Sequence, residues 1–201
     1  MKIIELVLDE TSPDDGVQMI SLVKEPAIGS YWVALSESIR QQKFTQTNPE
    51  KRVVMGPAMI PDLPIMRRDP DGTEYHVYFS QATIRRCMEM YFQQARHLKT
   101  NYEHADEIRG VAVVESWIVE NPDLDKSKIY DLKVPRGTWM VAMKIENETI
   151  WEEFVKTGDV KGFSIEGQFR DKLQMAETPP DLPPADKLIA ELDAMLGKNP
   201  S

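Results

Sequence analysis

Cysteine is almost absent from this chain of 201 residues, since Cys87 is its only one. An intramolecular disulfide framework is therefore excluded, and a reducing compartment fits this composition. Cys87 lies on the apolar side of a helical pattern, which is typical of a small buried side chain. Histidine is scarce too, and His76, His97 and His104 are too scattered for the ligand spacing of a zinc site.

Long apolar runs and dense basic stretches are missing as well. No run approaches transmembrane length, and residues 1–5 place an acid inside a short apolar segment, so nothing directs the chain to a membrane or out of the cytoplasm. The formal net charge is −9, and the basic clusters are the dipeptides Arg67-Arg68 and Arg85-Arg86, which argues against direct binding of nucleic acid. A glycine-rich phosphate loop is also absent from the sequence.

The composition suits a soluble globular protein, with 41% hydrophobic and 28% charged residues. Apolar runs bounded by turn residues predict strands over residues 2–8, 17–23, 52–60, 64–67, 74–79, 110–119 and 137–145, followed by one around Ser164. Helical spacing predicts a helix over residues 81–98, capped by Ser80, and a second helix between Asn147 and Gly158. Because strands and helices do not alternate, we predict an α+β fold built on a closed or strongly curved β-barrel flanked by helices.

Composition divides the chain into a domain over residues 1–172, a proline-rich linker over 173–184 and a tail over 185–201. Within the domain, the polar residues 36–50 are interpreted as a loop or a short helix. The tail contains an amphipathic pattern over residues 185–197, which predicts a helix too short to be stable alone. We expect that helix to dock on the domain or to bind another molecule.

One short apolar run, residues 161–167 (Lys-Gly-Phe-Ser-Ile-Glu-Gly), contains a single serine, Ser164, with a glycine on each side. Such a serine is either a buried hydroxyl bonded to backbone or a nucleophile, and a nucleophile needs a base in reach. His76 fits a half-buried strand position, and His97 fits the end of a helix. His104 differs because it lies in a polar turn among acids, yet spacing cannot show that it meets Ser164.

Several motifs, taken in order, resemble those of the prohead (procapsid maturation) serine proteases of tailed phages. They are residues 101–104 (Asn-Tyr-Glu-His), Gly110-Val111 at the start of a strand, and residues 158–167 around Ser164. The similarity covers about residues 52–170. A branch of phage serine proteases found in Bacillus prophages is further resembled by four segments, residues 64–69, 115–119, 137–141 and 162–167.

The resemblance implies a fold like that of the herpesvirus assembly proteases, with Ser164 as nucleophile and His104 as general base. The reaction is then acyl transfer that hydrolyses a peptide bond, with no metal or cofactor. The implied substrates are the phage scaffold and the major capsid protein, cut inside the immature prohead in the host cytoplasm, together with the enzyme itself. We expect no direct contact with nucleic acid or membrane, and self-association stays open.

The chain departs from this family at the third member of the catalytic group. In much of the family, a Glu or His opens a strand that continues into Ser-Leu-Val after the nucleophile. The matching segment here, residues 19–23, comes before Ser164 and begins with Met19. We interpret it as the same strand moved by circular permutation, which termini that lie close in space would permit. A methionine cannot accept a hydrogen bond from an imidazole, so this position lacks its expected function.

Three acids could take the role that this methionine leaves open. Glu115 and Glu166 lie in otherwise apolar strands, where an unpaired carboxylate is costly, and Asp106 is close to His104 in sequence. We predict Glu115 for this role, while the alternative for each acid is a water-facing position or a pair with Arg or Lys. The backbone N–H groups of residues 24–27 are the candidates for an oxyanion hole.

Two other functions stay open on these residues. A non-enzymatic, virion- or scaffold-associated structural protein on the same fold is favoured by the missing acid at Met19. A hydrolase unrelated to phage is disfavoured, because Glu166 stands where the Gly-x-Ser-x-Gly elbow of the α/β-hydrolases has its second glycine.

Overall fold

The computed structural model describes residues 2–12, 14–27, 45–48, 52–105 and 107–172. The linker and the tail helix that the sequence predicts lie outside these residues. Most of the segment 36–50 lies outside them too. Its described part, Thr45–Asn48, is a strand and not the predicted loop or helix.

The described residues form ten strands in three sheets. In chain order the strands are β1 (Ile3–Val7), β2 (Gly16–Val23), β3 (Thr45–Asn48), β4 (Val53–Met59), β5 (Ile65–Arg68), β6 (Glu74–Phe79), β7 (Val111–Ile118), β8 (Trp139–Ile145), β9 (Gly162–Gln168) and β10 (Arg170–Asp171). The sheets have the orders β10-β1-β6-β5, β2-β9 and β3-β4-β8-β7. Only the β1–β6 pair is parallel among these strands.

The first helix, α1 (Gln81–Gln93), begins where the sequence predicts. Ser80 Oγ accepts the backbone N–H of Thr83 and so caps the helix. The helix ends before the predicted residue 98, because Ala95 takes a left-handed backbone with φ of 53°. Residues Arg96–Leu98 form a separate 3₁₀ turn.

Two shorter helical segments lie between the later strands. The helix α2 (Lys126–Ile129) begins after Asp125, whose side chain accepts the N–H of Ser127. Residues Ile150–Val155 form a π-helical segment, and Asn147 Oδ1 accepts the N–H of Ile150 at 3.0 Å, which confirms the predicted cap. No helix in the described part of the chain has the length and apolar character needed to cross a membrane.

The predicted β-barrel is wrong, because no sheet formed by the described residues closes on itself. The fold is mixed α/β, with mostly strands and few helices. The apolar runs do form strands, but a run shows only that one of its faces is buried and not which strand lies next to it. Here β1 pairs with β6 and β10, whereas β2 crosses to β9, and so the chain divides between separate sheets.

Strand β8 shows how the sheets share their core. One face of it packs against α1, where Tyr91 meets Trp139 edge to face with ring centroids 5.4 Å apart. The opposite face is buried as well, since Met140 and Ala142 belong to a second cluster that includes Leu132. A strand that is buried on both faces ties the two clusters together.

Candidate active site

The strand that carries Ser164, β9, pairs antiparallel with β2. Ser164 lies directly opposite Ser21, and Glu166 lies opposite Met19. Residues directly opposite each other share a face of a sheet, and so do residues two apart on one strand. Ser21, Ser164 and Glu166 therefore share one face of this sheet, while Phe163 is buried on the other.

The two glycines that flank Ser164 allow other parts of the chain to come close. A Cβ atom at Gly167 would overlap the backbone oxygen of Gly16 on β2. A Cβ atom at Gly162 would lie 2.9 Å from the ring of Pro26. Because neither residue has a Cβ atom, β9 can lie close to β2 and to the residues that follow β2.

His104 lies in a tight turn that is bonded to β2. The N–H of Leu22 donates to Asn101 O, and the N–H of Glu103 donates to Leu22 O, both at 3.0 Å. Glu103 and His104 both have a left-handed backbone, with φ of 52° and 57°. Residues other than glycine keep this conformation only where neighbouring contacts fix it, so β2 determines where the imidazole lies.

The carboxylate of Glu166 is the acid that contacts His104. Its Oε1 lies 2.8 Å from His104 Nδ1 and 2.8 Å from Ser21 Oγ, which donates to it. Asn101 Nδ2 donates to the same oxygen. Burial alone would raise the pKa of Glu166, but these three hydrogen bonds, that of Asn101 foremost, outweigh burial and hold the pKa below its ordinary value. Glu166 is therefore an ionised carboxylate at neutral pH.

Ser21, Asn101, His104 and Glu166 form a cluster that is buried on one side and open to solvent on the other. Ser21 is 0% exposed and Asn101 is 2% exposed, whereas the His104 side chain is 44% exposed. Ser21 Oγ lies 3.3 Å from His104 Nδ1, the nitrogen that also faces Glu166. The other ring nitrogen, Nε2, has no hydrogen bond to any residue that the structure describes, so it is available to a second group.

Ser164 lies beside this cluster without being bonded to it. Opposite residues of an antiparallel pair have Cβ atoms about 5 Å apart, and residues two apart on a strand are about 7 Å apart. The Cβ atom of Ser164 is therefore about 5 Å from that of Ser21 and about 7 Å from that of Glu166. Across the described ranges, its hydroxyl makes no hydrogen bond, and the contacts of His104 go to Ser21 and Glu166.

Glu115, the acid predicted to orient the histidine, lies on β7 in a different sheet. Its carboxylate forms an ion pair with Lys126, which is the alternative that the sequence leaves open for it. No contact joins it to His104 among the described residues. Asp106, another candidate, lies outside those residues, and so Glu166 is the one candidate whose carboxylate the structure brings to the imidazole.

The other two histidines lie in structural surroundings. His76 lies in β6, as its strand pattern predicts, and is buried there, not half-buried. His97 lies in the 3₁₀ turn after α1 and stacks on Phe92, with ring centroids 5.8 Å apart. Both positions agree with the structural interpretation made from the sequence.

Two residues of the cluster, Ser21 and Asn101, have no role predicted from the sequence. The available signal is the placement of a polar side chain in a run that becomes buried, because a buried polar group needs a partner. Ser21 interrupts an apolar strand, and Asn101 comes three positions before His104 in the same turn. Each signal is weak by itself, since neither shows which partner is met.

The run that follows β2 contains the candidate donors for an oxyanion hole. The N–H of Lys24 is already bonded to the Glu103 carboxylate at 2.5 Å, and Pro26 has no N–H. The N–H groups of Glu25 and Ala27 are therefore the remaining candidates of this run. Ala27 lines the same pocket as the nucleophile candidate on β9.

An apolar pocket lies between β9 and the strands β4, β5 and β6, with Ser164 in its wall. Side chains such as Ala58, Ile65 and Phe79 line it, together with the exposed Arg67. Its volume of about 30 Å³ leaves room for little more than a water molecule or a methyl group.

The site thus contains a hydroxyl, an imidazole and a carboxylate within one patch, the set that serine hydrolases use. For the residues that the structure describes, no group of three or more His, Cys, Asp or Glu side chains is arranged to hold a metal ion.

A protein-family model described as "Putative phage serine protease XkdF" matches residues 41–172, which is most of the chain. No curated protein and no solved structure matches the chain. The matched residues include His104, Ser164 and Glu166, whereas β2 with Ser21 precedes them.

Proposed function

The chain belongs to this family of phage serine proteases, and on that premise we propose that it is a serine endopeptidase of prohead maturation. Ser164 is the nucleophile and His104 is the general base. The observation that carries the proposal is the orientation of the imidazole. Nδ1 faces a carboxylate at 2.8 Å, so Nε2 is left to accept a proton from the nucleophile.

The chemistry is acyl transfer. His104 Nε2 removes the proton from Ser164 Oγ while Oγ attacks the carbonyl carbon of the scissile peptide, which forms a C–O bond and leaves a negative oxygen. The C–N bond then breaks, and the proton on Nε2 passes to the leaving amine. A water molecule, deprotonated by the same nitrogen, then attacks the ester carbon. The bond to Ser164 Oγ breaks, and Nε2 returns its proton to Oγ.

Substrate binding has to close the gap between Ser164 and His104, which are not bonded in the free protein. A rotation about the Cα–Cβ bond of Ser164 moves Oγ on the face it shares with Glu166, and catalytic hydrogen bonds are often loose before substrate binds. The N–H groups of Glu25 and Ala27 then stabilise the negative oxygen. One such donor is typically worth about 10²- to 10³-fold in rate.

The biological substrates in this proposal are the phage scaffold and the major capsid protein, with cleavage of the enzyme itself, inside the immature prohead in the host cytoplasm. They rest on the motif resemblance, which also relates the chain to proteases of Bacillus prophages. Residues 1–172 form the protease domain. The linker over residues 173–184 and the tail over 185–201 tie the enzyme to the scaffold and are removable.

A serine-directed fluorophosphonate tests the chemistry on the purified full chain. We expect one phosphonyl adduct on Ser164, located by peptide mass spectrometry, and no adduct in the Ser164→Ala variant. Ser12→Ala, at a serine outside the cluster, is the matched control and should label like the wild type. An adduct that persists in Ser164→Ala contradicts the assignment of the nucleophile. A folded wild-type protein that stays unlabelled favours the non-enzymatic alternative.

The proposed substrates need a separate arm of the experiment. The wild type and Ser164→Ala are each co-expressed with the scaffold and major capsid protein of the same phage, and processing is followed by intact mass. Cleavage by the wild type alone supports the prohead role. Fluorophosphonate labelling without any processing keeps the peptidase and rejects these substrates.

A further inference from the structure

We propose that Glu166 is the residue that positions His104, so that the orienting carboxylate comes from the strand of the nucleophile itself. The inference rests on the proposed function, because it assigns the third member of that catalytic group. It replaces Glu115, which lies in another sheet and whose carboxylate forms an ion pair with Lys126. Two of the reasons lie in the hydrogen bonds of Glu166 Oε1, and the third lies in the register of β2 and β9.

The first reason is the tautomer that these bonds favour. Ser21 donates its hydroxyl proton to Glu166 Oε1 at 2.8 Å, so its oxygen can only accept from His104 Nδ1, 3.3 Å away. Glu166 Oε1 can also only accept, at 2.8 Å from the same nitrogen. Both neighbours of Nδ1 are therefore acceptors, which places the imidazole proton on Nδ1 and the lone pair on Nε2. This is the tautomer that a general base for Ser164 requires.

The second reason is that buried donors hold the carboxylate in place. Ser21 is 0% exposed and Asn101 is 2% exposed, and each gives a hydrogen bond to Oε1. Asn101 does so while its own Oδ1 stays buried without a partner among the described residues. The reversed amide would place that oxygen against the carboxylate, so the contact with Glu166 fixes the orientation of Asn101. Buried polar atoms are rarely left unpaired where packing alone decides.

The third reason is the register of the two strands. Met19 stands where the resemblance places the orienting group, and the residue directly across from Met19 on β9 is Glu166. Opposite side chains of a strand pair occupy neighbouring space on one face. The orienting carboxylate therefore comes from β9 and not from β2, but it still lies on the face of the sheet that carries Ser164.

The test uses the isosteric variant Glu166→Gln in the full chain. We expect the rate of fluorophosphonate labelling at Ser164 to fall by about 10²- to 10⁴-fold, because an amide favours the wrong tautomer of the histidine. Glu166→Asp keeps the charge and should recover part of this loss. Glu148→Gln, an exposed acid paired with Arg52, is the matched control and should label at the wild-type rate.

A second readout does not depend on turnover. In the wild type, the proton on His104 Nδ1 should give a downfield resonance in the ¹H NMR spectrum, assigned by its loss in His104→Ala. In Glu166→Gln this resonance should move upfield or disappear, while Glu148→Gln should keep it. If the variant at Glu166 does not fold, the wild-type spectrum still decides, since absence of the resonance overturns the proposal.

Failure of this inference and failure of the proposed function give different results. Labelling of folded Glu166→Gln at the wild-type rate, with none in Ser164→Ala, overturns the role of Glu166 and keeps the peptidase. The same holds if Glu115→Gln shows the large loss and Glu166→Gln does not. A wild type that gives the Nδ1 resonance but never labels keeps the positioning contact and rejects the peptidase.

Discussion

At the scale of single residues, the carboxylate of Glu166 links the site to the stability of the fold. Burial would raise its pKa, but its hydrogen bonds bring the pKa below the ordinary value of 4.5. A group whose folded pKa is depressed adds stability above its unfolded pKa, and this stability is lost as the pH falls through the folded value. The contribution of Glu166 is therefore complete at neutral pH and disappears in acid.

The Glu166→Gln variant should show this dependence as a difference in unfolding free energy. Above about pH 5 the wild type should be more stable by about 1 kcal/mol, a low figure for bonds to a charged group because 35% of the side chain is exposed. The difference should shrink as the pH falls below 4.5. Urea unfolding of both proteins over a pH series measures it. A difference that is constant with pH would show that the charge does not stabilise the folded state.

The same residue shows what a sequence can and cannot predict about a site. Alternation along a strand places Glu166 on the face of Ser164, since the two are two positions apart. Contact with His104 depends on which strand lies opposite and on a turn with two left-handed residues, and neither follows from local patterns. Glu115 lies in an equally apolar strand, so this pattern does not separate it from Glu166. Its partner Lys126, 11 positions away, is not recognisable from the sequence.

At the scale of elements, the pairing of β2 with β9 is what builds the site. Every member of the cluster lies on these two strands or on the turn bonded to β2. The close approach of the strands requires that residue 167 has no side chain, because its Cβ would overlap Gly16 O on the opposite strand.

Gly167→Ala should therefore push the two strands apart. We expect a loss of about 1–3 kcal/mol in unfolding free energy, as for other overpacked positions, together with slower fluorophosphonate labelling at Ser164. The exposed neighbour Gln168→Ala should change stability by less than about 0.5 kcal/mol. Urea unfolding of both variants checks this, and a Gly167→Ala protein as stable as its control would contradict the close contact.

Strand positions were accessible to prediction, whereas strand partners were not. Apolar runs ended by glycine or proline placed the strands β1, β2 and β4–β8 to within two residues at each end. The early end of α1 was not accessible in the same way. It comes from the left-handed backbone at Ala95, a residue that ordinarily favours helix.

At the scale of the whole molecule, all three sheets and α1 contribute to the core cluster that contains the only thiol of the chain. Cys87 is buried in the main core cluster, and burial raises its pKa to about 12. A thiol is reactive as the thiolate and only where a reagent can reach it. Modification of Cys87 therefore requires the core to open.

Iodoacetamide should leave Cys87 unmodified in the native protein at pH 8 and alkylate it fully in denaturant. The protection should be lost over the same urea range in which circular dichroism reports unfolding, which intact-mass measurement can follow. The double variant Cys87→Ala with Gln168→Cys, which has an exposed thiol, should react at once and shows that the reagent is competent. Rapid alkylation of native wild type would mean that the core opens locally around α1.

The wrong prediction of a barrel also belongs to this scale. Counting strands and noting little alternation with helices correctly indicated a protein made mostly of strands. Closure into a barrel is set by hydrogen bonds between particular strands, such as β1 with both β6 and β10, and these strands are far apart in sequence. Resemblance of short motifs carried no information on that pairing.

The pairing of β2 with β9 has one more consequence, which concerns protein synthesis. Ser21 and Glu166 meet across 145 positions of chain, so a ribosome must release nearly the whole domain before the site can assemble. Until then, a growing chain lacks the assembled cluster, and the sheet that contains β10 is incomplete as well. If the chain acts as the proposed peptidase, synthesis through β9 sets the earliest moment at which it can cleave.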